Sequence, residues 1–224
     1  MKAMILAAGY GKRMRPLTDH TPKPLLQAGG KALIEYHIEK LAGAGIHELV
    51  INSGWLGERL AATLGDGGRY GVRIQYSHEE VPLETAGGIR KALPLLGREP
   101  FVLVNGDIWT DYDLARLMVP RPDPAHLVLV NNPSHHPQGD FHLTAAGRVR
   151  DNQSPALTYA GMARLDPALF RDLPEGEARL APILTAAMAE DAVSGEHHAG
   201  QWWDIGTPER LRELDALLRA TDKD

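Results

Sequence analysis

The sequence predicts an α/β fold: a Rossmann-like, mostly parallel sheet with helices on both faces and a smaller subregion toward the C-terminal end. Three observations carry this prediction. Apolar runs without alternation at Met4-Ile5-Leu6, Phe101-Val102-Leu103-Val104 and Leu127-Val128-Leu129-Val130 have the pattern of strands covered on both faces. Segments of helical period lie between the strand patterns. The first apolar run is followed at once by small residues, glycines and cations, as at the loop beyond the carboxyl end of a first strand.

The elements follow in order. Residues 3–8 read as a buried strand. Residues 32–42 place Leu33, Ile34, His37, Ile38 and Leu41 on one helical face, closed by Gly43 and Gly45. His47 to Ser53 reads as a strand, Trp55 to Leu64 as a short helix, and Val72 to His78 as an alternating strand. A helix over 86–96 precedes the strand at 101–104, and another buried strand follows at 127–130. After about residue 132 the rhythm changes. Residues 141–150 read as a hairpin turning at Ala146-Gly147, 159–165 as a strand and 180–190 as a helix. Thr207-Pro208-Glu209 supplies an N-cap hydroxyl, a proline at the first helical position and an acid in the first turn, so a final helix runs to about Thr221. The expectation is one domain over 1–224, with a first half at 1–132, a second at 133–206 and a C-terminal helix at 207–221.

A chain of 224 residues that is 43% hydrophobic can bury a full core. It has no cysteine, which excludes disulfides, thiolate metal sites and a cysteine nucleophile. No apolar run approaches the ~20 residues of a membrane span, and Met1-Lys2-Ala3-Met4 leads directly into the loop without a signal-peptide pattern. The expectation is a soluble, cytoplasmic protein. Its formal charge is −5, yet residues 1–31 hold Lys2, Lys12, Arg13, Arg15, Lys23 and Lys31 against Asp19 alone. An acidic chain with one basic segment is built to focus a small anion, not to bind nucleic acid or a membrane surface.

Gly9 and Gly11 let a phosphate chain approach backbone N–H groups, and Lys12, Arg13 and Arg15 neutralise it. The loop is neither of the two common phosphate motifs. A dinucleotide fingerprint needs glycine or alanine where Met14 stands, and a Walker loop needs Ser or Thr where Arg13 stands. Pro22 and Pro24 stiffen the backbone around Lys23, which lowers the entropy lost when it meets an anion. Asp107 lies just beyond the strand 101–104, at the edge where open α/β sheets bind ligands, and Asp204 lies between apolar residues before a turn. The adjacent pairs His135-His136 and His197-His198 point to opposite faces in extended backbone and read as loop histidines.

The run Leu6 to Thr18, with Pro22-Lys23-Pro24, resembles the signature of the sugar-1-phosphate nucleotidyltransferases, and the likeness extends from residue 2 to about 215. It implies a GT-A-like fold with a nucleotide-binding half at 1–132 and a sugar-binding half at 133–206. It implies that Ala8, Gly9, Gly11, Lys12, Arg13 and Lys23 hold the phosphates, that Glu84, Thr85 and Gly88 face the nucleobase, and that Arg13 and Lys23 are catalytic. It assigns Asp107 and Asp204 to Mg²⁺, and Asn105, Gly139, Asp140 and Asn152 to the sugar. Where many members carry Glu-Glu-Lys-Pro, this chain has Val149 to Gln153, so the sugar pocket departs from the family pattern. The stretches Glu84 to Gly88, Val104 to Asp107, His135-His136 and Trp203 to Thr207 point within the family toward members that join UTP to an N-acetylmuramyl 1-phosphate in cell-wall recycling, releasing pyrophosphate. The carboxylate of that sugar calls for a nearby cation, and Arg150 is a candidate. A hexose 1-phosphate with UTP, dTTP or GTP, and a non-catalytic nucleotide-sugar-binding subunit, remain alternatives. Oligomeric state is not legible.

Overall fold

The computed structural model describes residues 1–221. The first half contains strands β1 (Ala3–Ala7), β2 (Gln27–Ala28), β3 (Lys31–Ala32), β4 (Glu48–Ser53), β5 (Arg73–His78), β6 (Phe101–Asn105), β7 (Ile108–Thr110) and β8 (Ala125–Val130). Helices α1 (Leu33–Gly43), α2 (Gly57–Leu64) and α3 (Glu84–Leu96) connect them. The second half adds β9 (His142–Leu143), β10 (Val149–Arg150), β11 (Thr158–Leu165), α4 (Leu180–Ala189), β12 (Val193–His198), β13 (Trp202–Asp204) and α5 (Pro208–Thr221).

Seven strands form the main sheet in the order β12-β8-β11-β6-β1-β4-β5. Strand β11 is antiparallel to both neighbours, and the other pairs are parallel. The sheet therefore takes strands from both sides of residue 132. The unalternated apolar runs have the expected cause. In β1, Ala3 and Ile5 enter one core and Met4 the other, and in β6 Val102 and Val104 oppose Leu103 in the same way. Each strand is covered on both faces, so it has no polar side to show.

The helix at 55–64 begins later than its pattern indicates, because Leu56 takes a left-handed conformation (φ 55°) and the helix starts at Gly57. His197-His198 is a correction to the loop reading: the pair ends β12, which adds to the sheet edge beside β8. The short ribbon of β7 and β13 was also not legible. Its partners are far apart in sequence and neither is long enough to show a period.

A third, smaller core has a particular consequence for the N-terminal loop. Met14, Leu26, Ala28 and Leu33 pack there against Ile205, Leu211 and Leu214. Helix α5 thereby clamps the loop after β1, and Asp215 accepts from the Gly29 N–H at 2.8 Å. Met14, fully buried, stands where a dinucleotide fold would need a small residue, and here it is the loop's anchor. No described helix is long and apolar enough to cross a membrane.

Candidate active site

The loop after β1 is a set of tight turns. Gly11 sits at φ 61°, and a Cβ there would lie 2.9 Å from the Thr18 methyl, so the position needs glycine on both counts. The 3-10 turn Lys12–Met14 follows, with the Met14 N–H donating to the Gly11 carbonyl at 2.8 Å. Thr18 Oγ1 donates to the same carbonyl at 2.8 Å. From outside, Trp55 Nε1 donates to the Thr18 carbonyl at 3.1 Å and Arg59 reaches the His20 carbonyl. Pro22 is extended and Pro24 buried, which aims Lys23 inward from its own 3-10 turn.

Three cavities share walls at the carboxyl ends of β1 and β6. One of about 330 Å³ is lined by Ala8, Gly9, Lys23, Asn52, Glu79, Glu84, Thr85, Asn105 and Asp107. One of about 250 Å³ is lined by Gly9, Gly11, Lys12, Arg13, Lys23, Asp107 and Gly206. One of about 420 Å³ is lined by Arg13, Asn105, Asp107, His135, His136, Tyr159 and Asp204. Asp107 lines all three. The geometry thus separates a nucleoside-sized space, a cationic channel and a third chamber around one carboxylate.

The two acids expected to act together are neighbours through the ribbon. Asp204 of β13 pairs with Ile108 of β7, and the Ile205 N–H donates to the Asp107 carbonyl at 2.8 Å. Each carboxylate carries a side-chain cation. Lys23 Nζ is 2.6 Å from Asp107 Oδ2. Arg210 Nη1 is 2.7 Å from Asp204 Oδ2, with His135 Nε2 at 3.1 Å from the same oxygen. The donors are carboxylate oxygens in a cavity wall, held by backbone pairing, and an ammonium and a guanidinium already sit against them. That donor set suits a hard divalent cation with open positions for phosphate oxygens. Among the described residues no three His, Cys, Asp or Glu side chains cluster as a metal site, here or elsewhere, so a cation held by these two acids would depend on substrate oxygens for its further ligands.

The other expected residues fall as follows. Gly88 is buried behind the first cavity, where a Cβ would lie 2.7 Å from Glu79 Oε1. Gly139, Asp140 and Asn152 do not line these cavities. Gly139 makes a left-handed turn against Asn132, and Asp140 accepts from the Tyr159 N–H at 2.8 Å and meets His136 at 3.0 Å. Asn152 is exposed at φ 53°. Arg150 pairs with Asp191 instead of entering the third chamber. Burial pushes the Tyr159 hydroxyl above its ordinary range; it lies inside the second core without a hydrogen-bond partner, so it is not a group that the chamber presents.

Sequence reading missed Asn52, Glu79 and Arg210. Asn52 donates to Glu79 Oε1 at 2.8 Å and accepts from the Ala7 N–H at 2.6 Å, while Glu79 Oε2 accepts from the Leu83 N–H at 2.9 Å. Both residues stand at the carboxyl ends of β4 and β5, and that position was the available signal. Arg210 had none, being one of several arginines on a solvated helix.

A profile of the nucleotidyl transferase family matches residues 2–139. The chain belongs to this family and is a nucleotidyltransferase. An N-acetylmuramate alpha-1-phosphate uridylyltransferase from Neisseria meningitidis is 50% identical to it, over 98% of this chain and 99% of that protein. One from Caulobacter vibrioides is 34% identical over 96% of each. A mannose-1-phosphate guanyltransferase from Aspergillus fumigatus is 30% identical over 93% of this chain and 61% of its own length. Among solved structures, a Bacillus anthracis chain described as a glucose-1-phosphate thymidylyltransferase superposes with a TM-score of 0.86 at 22% identity, covering 98% of this chain and 95% of its own.

Proposed function

We propose that the protein transfers UMP from UTP to N-acetylmuramic acid α-1-phosphate, giving the UDP-sugar and pyrophosphate, with Mg²⁺ as cofactor and in the cytoplasm, as a step of peptidoglycan recycling. The observation that carries the reaction type is the meeting of Arg13, Lys23 and Asp107 around one cationic channel, with Asp204 beside them. Support for the muramyl substrate comes from the full-length likeness to the Neisseria enzyme.

The attacking group is a phosphate oxygen of the sugar phosphate, which is already an anion, so no protein nucleophile is needed. The obstacle is repulsion between two phosphorylated substrates. Positioning and charge neutralisation therefore do most of the work. In this reading Gly9, Gly11, Lys12 and Arg13 receive the β and γ phosphates, and Lys23 contacts the α phosphate. Glu84 and Thr85, with Asn52 and Glu79, bound the nucleoside space. Asp107 and Asp204 would hold the divalent cation, which supplies Lewis-acid charge at the phosphoryl oxygens. His135, His136 and Thr158 line the chamber that would take the sugar, with Arg13 at its junction with the channel. Asp140 acts indirectly, by holding the Tyr159 backbone and His136.

A matrix of nucleoside triphosphates against sugar 1-phosphates, read as pyrophosphate release, tests the proposal. The muramyl compound with UTP is expected to turn over fastest. Faster turnover of mannose or glucose 1-phosphate would overturn the substrate assignment, and no pyrophosphate with any pair would overturn the reaction.

A further inference from the structure

Asp204 has a competitor for the cation it is proposed to hold. Its Oδ2 accepts from Arg210 Nη1 at 2.7 Å, and the same Nη1 lies 2.7 Å from His135 Nε2. The pair is sheltered, with the Arg210 side chain 17% exposed and that of Asp204 25%. The backbone is shaped for it. A Cβ at Gly206 would collide with the Arg210 guanidinium and lie 3.1 Å from Asp204 Oδ1. Arg210 sits in the first turn of α5 and lines none of the three cavities, so its reach is toward Asp204 and not toward a substrate. Asp107 is closed in the same manner by Lys23 at 2.6 Å.

We infer that Arg210 is an internal counter-ion that holds the divalent cation's place at Asp204, so that the cation is taken up weakly by the protein alone and strongly only together with the nucleotide. The inference rests on the reading of Asp107 and Asp204 as the cation's ligands. A guanidinium at hydrogen-bonding distance from Oδ2 repels a divalent ion approaching the same oxygen, at a separation where partial burial leaves the repulsion poorly screened. A triphosphate brings the opposite charge into the channel. It offers Lys23 another partner and outweighs the guanidinium's repulsion. Arg210 is accordingly a positioning residue: it keeps Asp204 aimed and neutralised until the charged substrate arrives.

The test is a titration with Mn²⁺ alone, without nucleotide, with bound ion measured by electron paramagnetic resonance. It compares wild type, Arg210→Gln and the double variant Arg210→Gln with Asp204→Asn. Arg210→Gln is expected to bind Mn²⁺ at least about tenfold tighter than wild type, the gain that follows from removing one adjacent positive charge. The double variant is expected to lose that gain. Arg210→Met, which keeps the length and apolar stem of the side chain without its charge, is expected to show the same gain and serves if Arg210→Gln does not fold. Equal Mn²⁺ affinity in wild type and in the folded variants would overturn the counter-ion inference and leave the ligand reading intact. A gain that survives Asp204→Asn would instead overturn Asp204 as the ligand.

Discussion

The Ile205 N–H donates to the Asp107 carbonyl at 2.8 Å, and this bond brings together two acids that lie 97 positions apart in the chain. It makes the β7–β13 ribbon part of the site. If the two carboxylates share a cation, neither can substitute for the other. Asp107→Asn and Asp204→Asn are each expected to lower kcat by roughly 10²–10³, the usual cost of losing one electrostatic contact to the reacting phosphates. The unfolding temperature should stay within about 3 °C of wild type. Steady-state pyrophosphate release and a thermal melt measure both.

Arg13 and Lys23 face the same channel from different turns, so they are expected to separate kinetically. Arg13→Ala should lower kcat/KM for UTP by about 10² or more, and Lys23→Ala should lower kcat by a similar factor. Lys23→Ala also leaves Asp107 without its ion-pair partner. It should therefore tighten Mn²⁺ binding to the protein alone, as seen by the same resonance measurement.

Met14 links stability to the loop after β1. It is fully buried in the small core beneath α5 and bonded to Gly11 through its N–H. Met14→Ala is expected to cost about 2–5 kcal/mol through the cavity it leaves. The KM for UTP should rise more than the KM for the sugar phosphate, because the loop bearing Arg13 loses its anchor. Equal changes in both KM values would show that the loop does not depend on Met14.

Glu196 gives the fold a dependence on acid. Burial alone would push its carboxyl up, but the His126 ring 3.9 Å away, the hydrogen bond from the Tyr112 hydroxyl and the Arg116 guanidinium hold it at about 2. A carboxyl depressed in the folded state contributes its full stability above its ordinary value of 4.5, and loses it as pH falls toward about 2. Glu196→Gln is expected to melt about 4 °C or more below wild type at pH 7. The gap should narrow between pH 4.5 and pH 2, measured by thermal unfolding across that range.

Much of the fold was legible because its signals are local. Met4 to Leu6 and Phe101 to Val104 carry apolar side chains on successive positions, which only a strand covered on both faces requires. Thr207-Pro208-Glu209 predicted the start of α5, and the Leu211 N–H does donate to the Thr207 carbonyl at 3.1 Å. The glycine-lined basic loop was legible for the same reason, since glycine and charge act within a few residues of one another. The third chamber was less so. Arg150 carried the right charge but lies in a hairpin where Asp191 takes it.

By itself, the sequence determined the sheet's buried strands and the glycine-lined cationic loop, which follow from backbone preference, hydrophobic burial and charge density, all written in neighbouring residues; Arg13, Lys23, Asp107 and Asp204 were singled out as site candidates by resemblance to a family signature. Only the tertiary structure decided that Asp107 stands at the junction of three cavities, that Glu79 and Asn52 wall one of them, and that Arg210 closes on Asp204. Those relationships depend on which strands pair and which helix docks. A hydrogen bond such as that from Ile205 to Asp107 joins residues whose local sequences carry no trace of each other.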